Sequence, residues 1–270
     1  MTVSSRAKCL TVTLMLLSRP CLATDVASCG QKIGPGDTGV VAADIDCSAA
    51  DGIFAAVLLG DNATLMLNGH TITGRTSASL PRVVGVAGDA ARRITIVGPG
   101  VIAGSSTGIT GGMTRVTVSG VTLRDNEYSI DVALGKLLVS NVDSTSTVSG
   151  ISARAIRADH VTVTTNYAGN CIFGKQISGS DVTVSGCHGG VDMLGSVRLT
   201  RLDARNNLTI GVAGEHVTLV DSIVTGNIFI GQPLDILTAT PPRLVSTQCG
   251  TSARVENHVI GPTWGVCAND

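Results

Sequence analysis

From Ala63 onward the chain sets down short apolar–polar–apolar triplets, each followed within a few positions by Gly, Ser or Asn. The series opens with "ATLMLNGH" at Ala63, "RITIVGPG" at Arg93, "RVTVSGVT" at Arg115, "KLLVSNVD" at Lys136 and "HVTVTTNY" at His160. It continues with "DVTVSGCH" at Asp181, "SVRLTRLD" at Ser196, "HVTLVDSI" at His216 and "RLVSTQCG" at Arg243. From Arg93 the intervals are 22, 21, 24, 21, 15, 20 and 27 residues. Period-two alternation predicts a strand whose flanking apolar side chains share one face while the middle residue takes the other. So short a strand cannot bury that face alone. Copies stacked on one another can, and a period near twenty predicts a solenoid.

Two columns support stacking. The outward residue after the first apolar one is Thr95, Thr117, Thr162, Thr183 and Thr218, with Leu138 and Arg198 as exceptions. β-Branched neighbours suit a sheet surface. Nine residues beyond Thr117, Arg198 and Thr218 stand Asn126, Asn207 and Asn227, and Asn170 stands eight beyond Thr162. Asparagine tolerates the left-handed backbone of a sharp corner, and stacked amides can satisfy one another. In "LNGHTITG", Asn68-Gly69-His70 follows a strand at such a corner, which predicts a turn role in place of chemistry.

"LNGHTITG", the V-T-V strands and the corner asparagines resemble the right-handed parallel β-helix family, the pectin-lyase-like fold, over most of residues 39–246. The resemblance implies an all-β, right-handed parallel β-helix solenoid of roughly nine or ten coils, about 45 Å long at 4.8 Å per coil. A leucine-rich repeat shares the period, but L-x-x-L-x-L is largely missing; a β-sandwich wants turns every 8–12 residues. Open ends need plugs. Residues 24–48 and 247–270 are expected to supply them, within a single domain over 24–270.

Composition agrees with this picture. Aromatics are 2%, charged residues 14% and glycines 33 of 270, a profile for short strands and tight turns. Residues 1–23 read as a secretion signal: Arg6 and Lys8 precede the apolar Cys9–Leu17, and Ala23 ends the segment. The mature chain is therefore expected to be secreted, periplasmic or extracellular. No later segment reaches the roughly 18 apolar residues of a membrane helix. Losing Arg6, Lys8 and Arg19 takes the formal charge from −1 to about −4, which leaves no footprint for nucleic acid.

Six cysteines remain after the signal, in local couples separated by 18, 16 and 18 residues. An even count in an exported chain predicts disulfides, Cys29–Cys47, Cys171–Cys187 and Cys249–Cys267. A structural zinc site is the competitor, and no C-x-x-C is present to support it.

Enzymes of the resembled fold cleave or epimerise acidic polysaccharides on an outer sheet face. The N-T-D, D-D, G-H-G and R-I-K motifs that the resemblance implies for hydrolases are missing. "GCHGG" around His188 lacks a preceding Asp-Asp pair, although Asp181 and Asp192 are near in sequence. A lyase or epimerase needs cations or calcium to neutralise a uronate and a base for the C5 proton. The first positions of successive repeats, Arg93, Arg115, Lys136, His160 and Asp181, form one expected outward column, with His160 as the candidate base. The competing reading is a solvated sheet face. No metal site and no cofactor are expected, calcium entering only with lyase chemistry. The expectation is a non-catalytic binding or structural module contacting polysaccharide, with a uronate lyase or epimerase as the alternative.

Overall fold

The computed structural model describes residues 23–76, 81–88, 91–112, 115–166, 168–229, 231–256 and 259–270. The expected signal sequence lies outside these residues except for Ala23, and so does Tyr167.

The chain is all-β, and its strands stack in parallel with like residues in register. Leu65 pairs with Gly39 and with Ile96, and Ile94 pairs with Val116. Further along, Val161 pairs with Val182, Ile177 with Val197, and Val197 with Val217. Partners lie one repeat apart, so each repeat is a rung laid on the one before, a solenoid-like ladder. Antiparallel pairing among the described residues is confined to Ile228–Phe229 with Gln232–Pro233, Val255–Glu256 with Val259–Ile260, and an Arg75–Val83 bridge.

In each rung two short strands meet at a left-handed corner, and a third, stacked as Thr107–Thr110 on Tyr128–Asp131 and Ile151–Ala153 on Ile172–Gly174, completes the turn. Val116–Val118 and Val121–Leu123 are the two that meet in one rung, and Gly120 between them has φ 66°. In later rungs the corner residue is Asn141, His160, Asp181, Arg201 and Asp221, all with φ between 50° and 55°. Non-glycine residues pay roughly 1–2 kcal/mol for this conformation. The stretch Arg115–Thr165 runs unbroken as strand through several corners. Its alternation breaks at Ser129–Ile130 and Gly150–Ile151, where two successive residues face inward, which a straight strand cannot do.

The interior is aliphatic. Ile94, Val116, Ile96, Val118, Val161, Val182, Leu219 and their neighbours are buried, and no aromatic side chain is among the buried described residues. Narrow rungs stacked at sheet spacing are filled by branched aliphatics, which accounts for the scarcity of aromatics. Asn126, Asn207 and Asn227 are buried as well, and each is satisfied. Asn126 donates to Ile102 O at 2.9 Å and accepts from Ser105 N at 3.0 Å. The Asn207 amide donates to Asn227 Oδ1 at 2.8 Å, and Asn227 donates to buried Asp235 Oδ1 at 2.8 Å. Asp235 Oδ2 accepts from Gly250 N and Thr251 N. Asn170 is outside this column: it is half-buried, and its amide donates to Asp192.

Disulfides join Cys29 to Cys47, Cys171 to Cys187 and Cys249 to Cys267, with Cα–Cα distances of 5.7, 5.5 and 5.1 Å. Asn68 (φ 53°) and Gly69 (φ 86°) form a left-handed turn. His70 Nδ1 there lies 3.3 Å from Asp44 Oδ1. No helix among the described residues is long and apolar enough to cross a membrane.

Candidate functional site

A cleft of about 770 Å³ lies along the first strands of successive rungs. Arg92, Arg93, Arg115, Lys136, Arg154 and Lys175 line it, with Asp61 as its one carboxylate among the described residues. Arg93 is in register with Arg115, and the register of Ala153 with Gly174 and Ala155 with Gln176 sets Arg154 beside Lys175. Asp61 Oδ1 accepts from the backbone amides of Arg92 and Arg93 at 2.9 and 3.1 Å, so it is already engaged. Among the described residues no carboxylate lies within ion-pairing distance of the six cationic heads. All six residues are exposed. In a chain of net charge −1, such a concentration is a local positive field aimed at solvent.

The five-residue column expected from sequence divides in two. Arg93, Arg115 and Lys136 line the cleft, whereas His160 and Asp181 stand at left-handed corners and do not. The first-strand positions that follow Lys136 in the cleft are Ala155 and Gln176, followed in register by Ser196 and His216. His160 and His216 therefore belong to different columns. The cause is the near-identity of the two strands that flank each left-handed corner. "HVTV" at His160 is a second strand whose pattern matches that of the first strand "RVTV" at Arg115. The register joins 93 with 115 and 155 with 176, 196 and 216, and the corners at Gly120, Asn141 and His160 set 136 between them, so the starts are far more even than the 24 and 15 of the sequence pattern. Evenness of interval was the available signal, and it would have brought Arg154 and Lys175 into view.

At the corners a second constellation forms. His160 Nδ1 lies 3.4 Å from Asp159 Oδ2, and its Nε2 lies 3.7 Å from Asp181 Oδ2. One ligand atom from each of the three falls within 4.8 Å of the others, a set that could hold a cation. Sequence reading expected no metal site, since residues 159, 160 and 181 meet only through rung register. The Arg201 guanidinium binds both oxygens of Asp181, at 2.6 and 2.5 Å. This pair holds the Asp181 carboxyl down to about 2. A Ser180 hydroxyl bond at 2.6 Å lowers Asp159 likewise. With Arg201 already seated there, the corner reads first as a charge ladder across rungs.

His188 lines a cavity of about 180 Å³ with Asn170, Asp192 and Thr209. Burial pushes the Asp192 carboxyl up, against the opposing Asn170 amide bond at 2.9 Å and the nearby His188. Asp181 is not part of this group. Among the described residues no second carboxylate lines the cavity, so they do not supply there the acid–base pair that glycoside cleavage requires.

No family model, curated protein or solved structure matches the chain.

Proposed function

We propose that this chain is an exported right-handed parallel β-helix of the pectin-lyase-like kind. In this reading residues 24–270 are one domain of nine or ten coils, with end plugs over 24–48 and 247–270 closed by disulfides. Its task is to bind an acidic, uronate-rich polysaccharide at or outside the cell envelope, without cutting it. The observation that carries this is the cleft: six cations from successive rungs face one already engaged carboxylate. Rungs about 4.8 Å apart present cations at close to the pitch of one sugar unit, so a polyanion can lie along the axis.

A lyase or epimerase would need a base beside these cations. His160, the base that reading relied on, stands at a corner outside the cleft. Retention without cleavage is therefore favoured.

Calorimetric titration with polygalacturonate and alginate, with and without calcium, tests the proposal. Saturable binding is expected that weakens as salt shortens the screening length. An Arg115→Ala, Lys136→Ala double variant should bind roughly tenfold more weakly. Absorbance of the unsaturated product should stay flat. Undiminished binding in the double variant would overturn the cleft assignment, and product formation would restore the lyase reading.

A further inference from the structure

Beside the cationic cleft, with Arg154 and Lys175 two residues past Ser152 and Phe173, a cavity of about 320 Å³ is built from a second, regular set of positions. Its lining is Tyr128 with Asp131, Ser149 with Ser152, and Asn170 with Phe173: three residue pairs, each 21 further along the chain. Within each pair the two residues between face inward, as Ser129–Ile130, Gly150–Ile151 and Cys171–Ile172. That bend turns both flanking side chains outward. The register of Ser152 with Phe173 continues the ladder from the second pair to the third. Tyr128 and Phe173 thus take two diagonal corners of the patch, Asp131 and Asn170 the other two, and small serines cross the middle.

Both rings remain in water, Tyr128 at 42% and Phe173 at 38% exposure. Few aromatics exist in this chain, and two of them open onto one small concavity. Binding sites pair aromatic faces with a few placed polar groups in this way. The polar members are hydroxyls, an amide and a carboxylate, and among the described residues no Lys or Arg lines the patch. Within the patch an anionic ligand would meet Asp131, and a purely apolar one would cover Asp131 and the Ser152 hydroxyl without giving them partners, whereas Ser149 already donates to Asn170 O and Asn170 to Asp192. A pyranose ring fits both demands, with a face of C–H groups to lie on an aromatic ring and a rim of hydroxyls for Asp131, Asn170, Ser149 and Ser152. Three rungs span roughly 10 Å, room for about two sugar rings.

We propose that the Tyr128–Phe173 patch is a binding subsite for a neutral oligosaccharide, with a lining that shares no residue with the cationic cleft it adjoins. The backbone beneath it is stiff. The disulfide from Cys171 lies between Asn170 and Phe173, and a Cβ on Gly150 would meet Cys171 O at 2.3 Å, so the floor admits no larger side chain.

The test is an NMR titration of the oxidised full chain with cellohexaose, xylohexaose and mannohexaose. At least one should bind saturably and shift the Tyr128 and Phe173 ring signals. Phe173→Ala and Tyr128→Ala should each weaken that binding about tenfold, leaving the melting temperature and polygalacturonate binding unchanged. Tyr128→Phe should retain most of it. The Arg115→Ala, Lys136→Ala variant should bind the neutral sugar as the parent does, which separates failure here from failure of the cleft. Absence of binding by all three sugars, or binding indifferent to Phe173→Ala, overturns the proposal. So does selective capture of choline in place of sugars, which would make the patch a cation site.

Discussion

Asp181 sits at a corner where its own backbone is strained and its side chain is clasped by Arg201. Its folded-state carboxyl is depressed to about 2 from the ordinary 3.8. A depressed carboxylate contributes stability that is present above the unfolded value and lost as pH falls through the folded one. The Asp181–Arg201 pair should therefore persist at pH 4 and be half lost near pH 2, its contribution to stability fading as pH falls from about 4 through 2. Carbon-detected NMR of the carboxyl should find the midpoint near 2, moving back toward 3.8 in Arg201→Ala. Asp192 carries the opposite sign. Burial raises its carboxyl, so its ionisation opposes folding once pH rises past the unfolded value, and Asp192→Asn should flatten that slope in urea titrations. Buried Asn227 is the residue most committed to structure, since Asn207, Ala204 O and Asp235 all depend on it. Asn227→Ala should cost about 3 kcal/mol, two or more buried groups losing their partner, as read from the denaturation midpoint. The asparagine column was legible because an amide at fixed spacing has few other uses. The Asp159–His160–Asp181–Arg201 group was not, because its members are joined by register across rungs and by nothing nearer in sequence.

At the scale of the element, a rung is three short strands, and the two that meet at its left-handed corner look alike in sequence. The V-T-V pattern correctly gave strands that stack in parallel. It gave no means of telling a first strand from a second, since both bury two branched residues around one outward one. Val161–Val163 pairs with Val182–Val184, and Val116–Val118 pairs with Ile94–Ile96. Close backbone approach between rungs is a second element-level constraint that composition hides. A Cβ at Gly150 would meet Cys171 O at 2.3 Å and the Val163 methyl at 2.4 Å. Gly150→Ala should therefore destabilise by about 2 kcal/mol, seen as a lower thermal midpoint with the Cys171–Cys187 bond still formed.

Across the whole molecule, stability is a sum over neighbouring rungs, so damage should stay local. The Cys249–Cys267 disulfide ties the last rungs, where Ile236 pairs with Ser252 and Thr218 with Arg243. Replacing both cysteines by serine should cost those rungs about 3 kcal/mol. Hydrogen exchange should then speed up in Ile236–Thr238 and Ser252–Glu256 while Ile172–Ser185 keeps its protection. Equal acceleration everywhere would mean that the molecule melts as one unit. The cationic cleft is likewise a whole-molecule property: none of its six cations is a motif, and each matters through the rung above and below.

The corner column also bears on which repeats can be exchanged. Val, Ile and Leu would stack equally well in many orders, and aliphatic packing alone would tolerate excision of one repeat. Along the corners the sequence runs His160, Asp181, Arg201, Asp221. Cutting out the repeat that carries Arg201 would bring Asp181 against Asp221, two like charges at sheet spacing. The surface thus proofreads an order to which the greasy interior is indifferent.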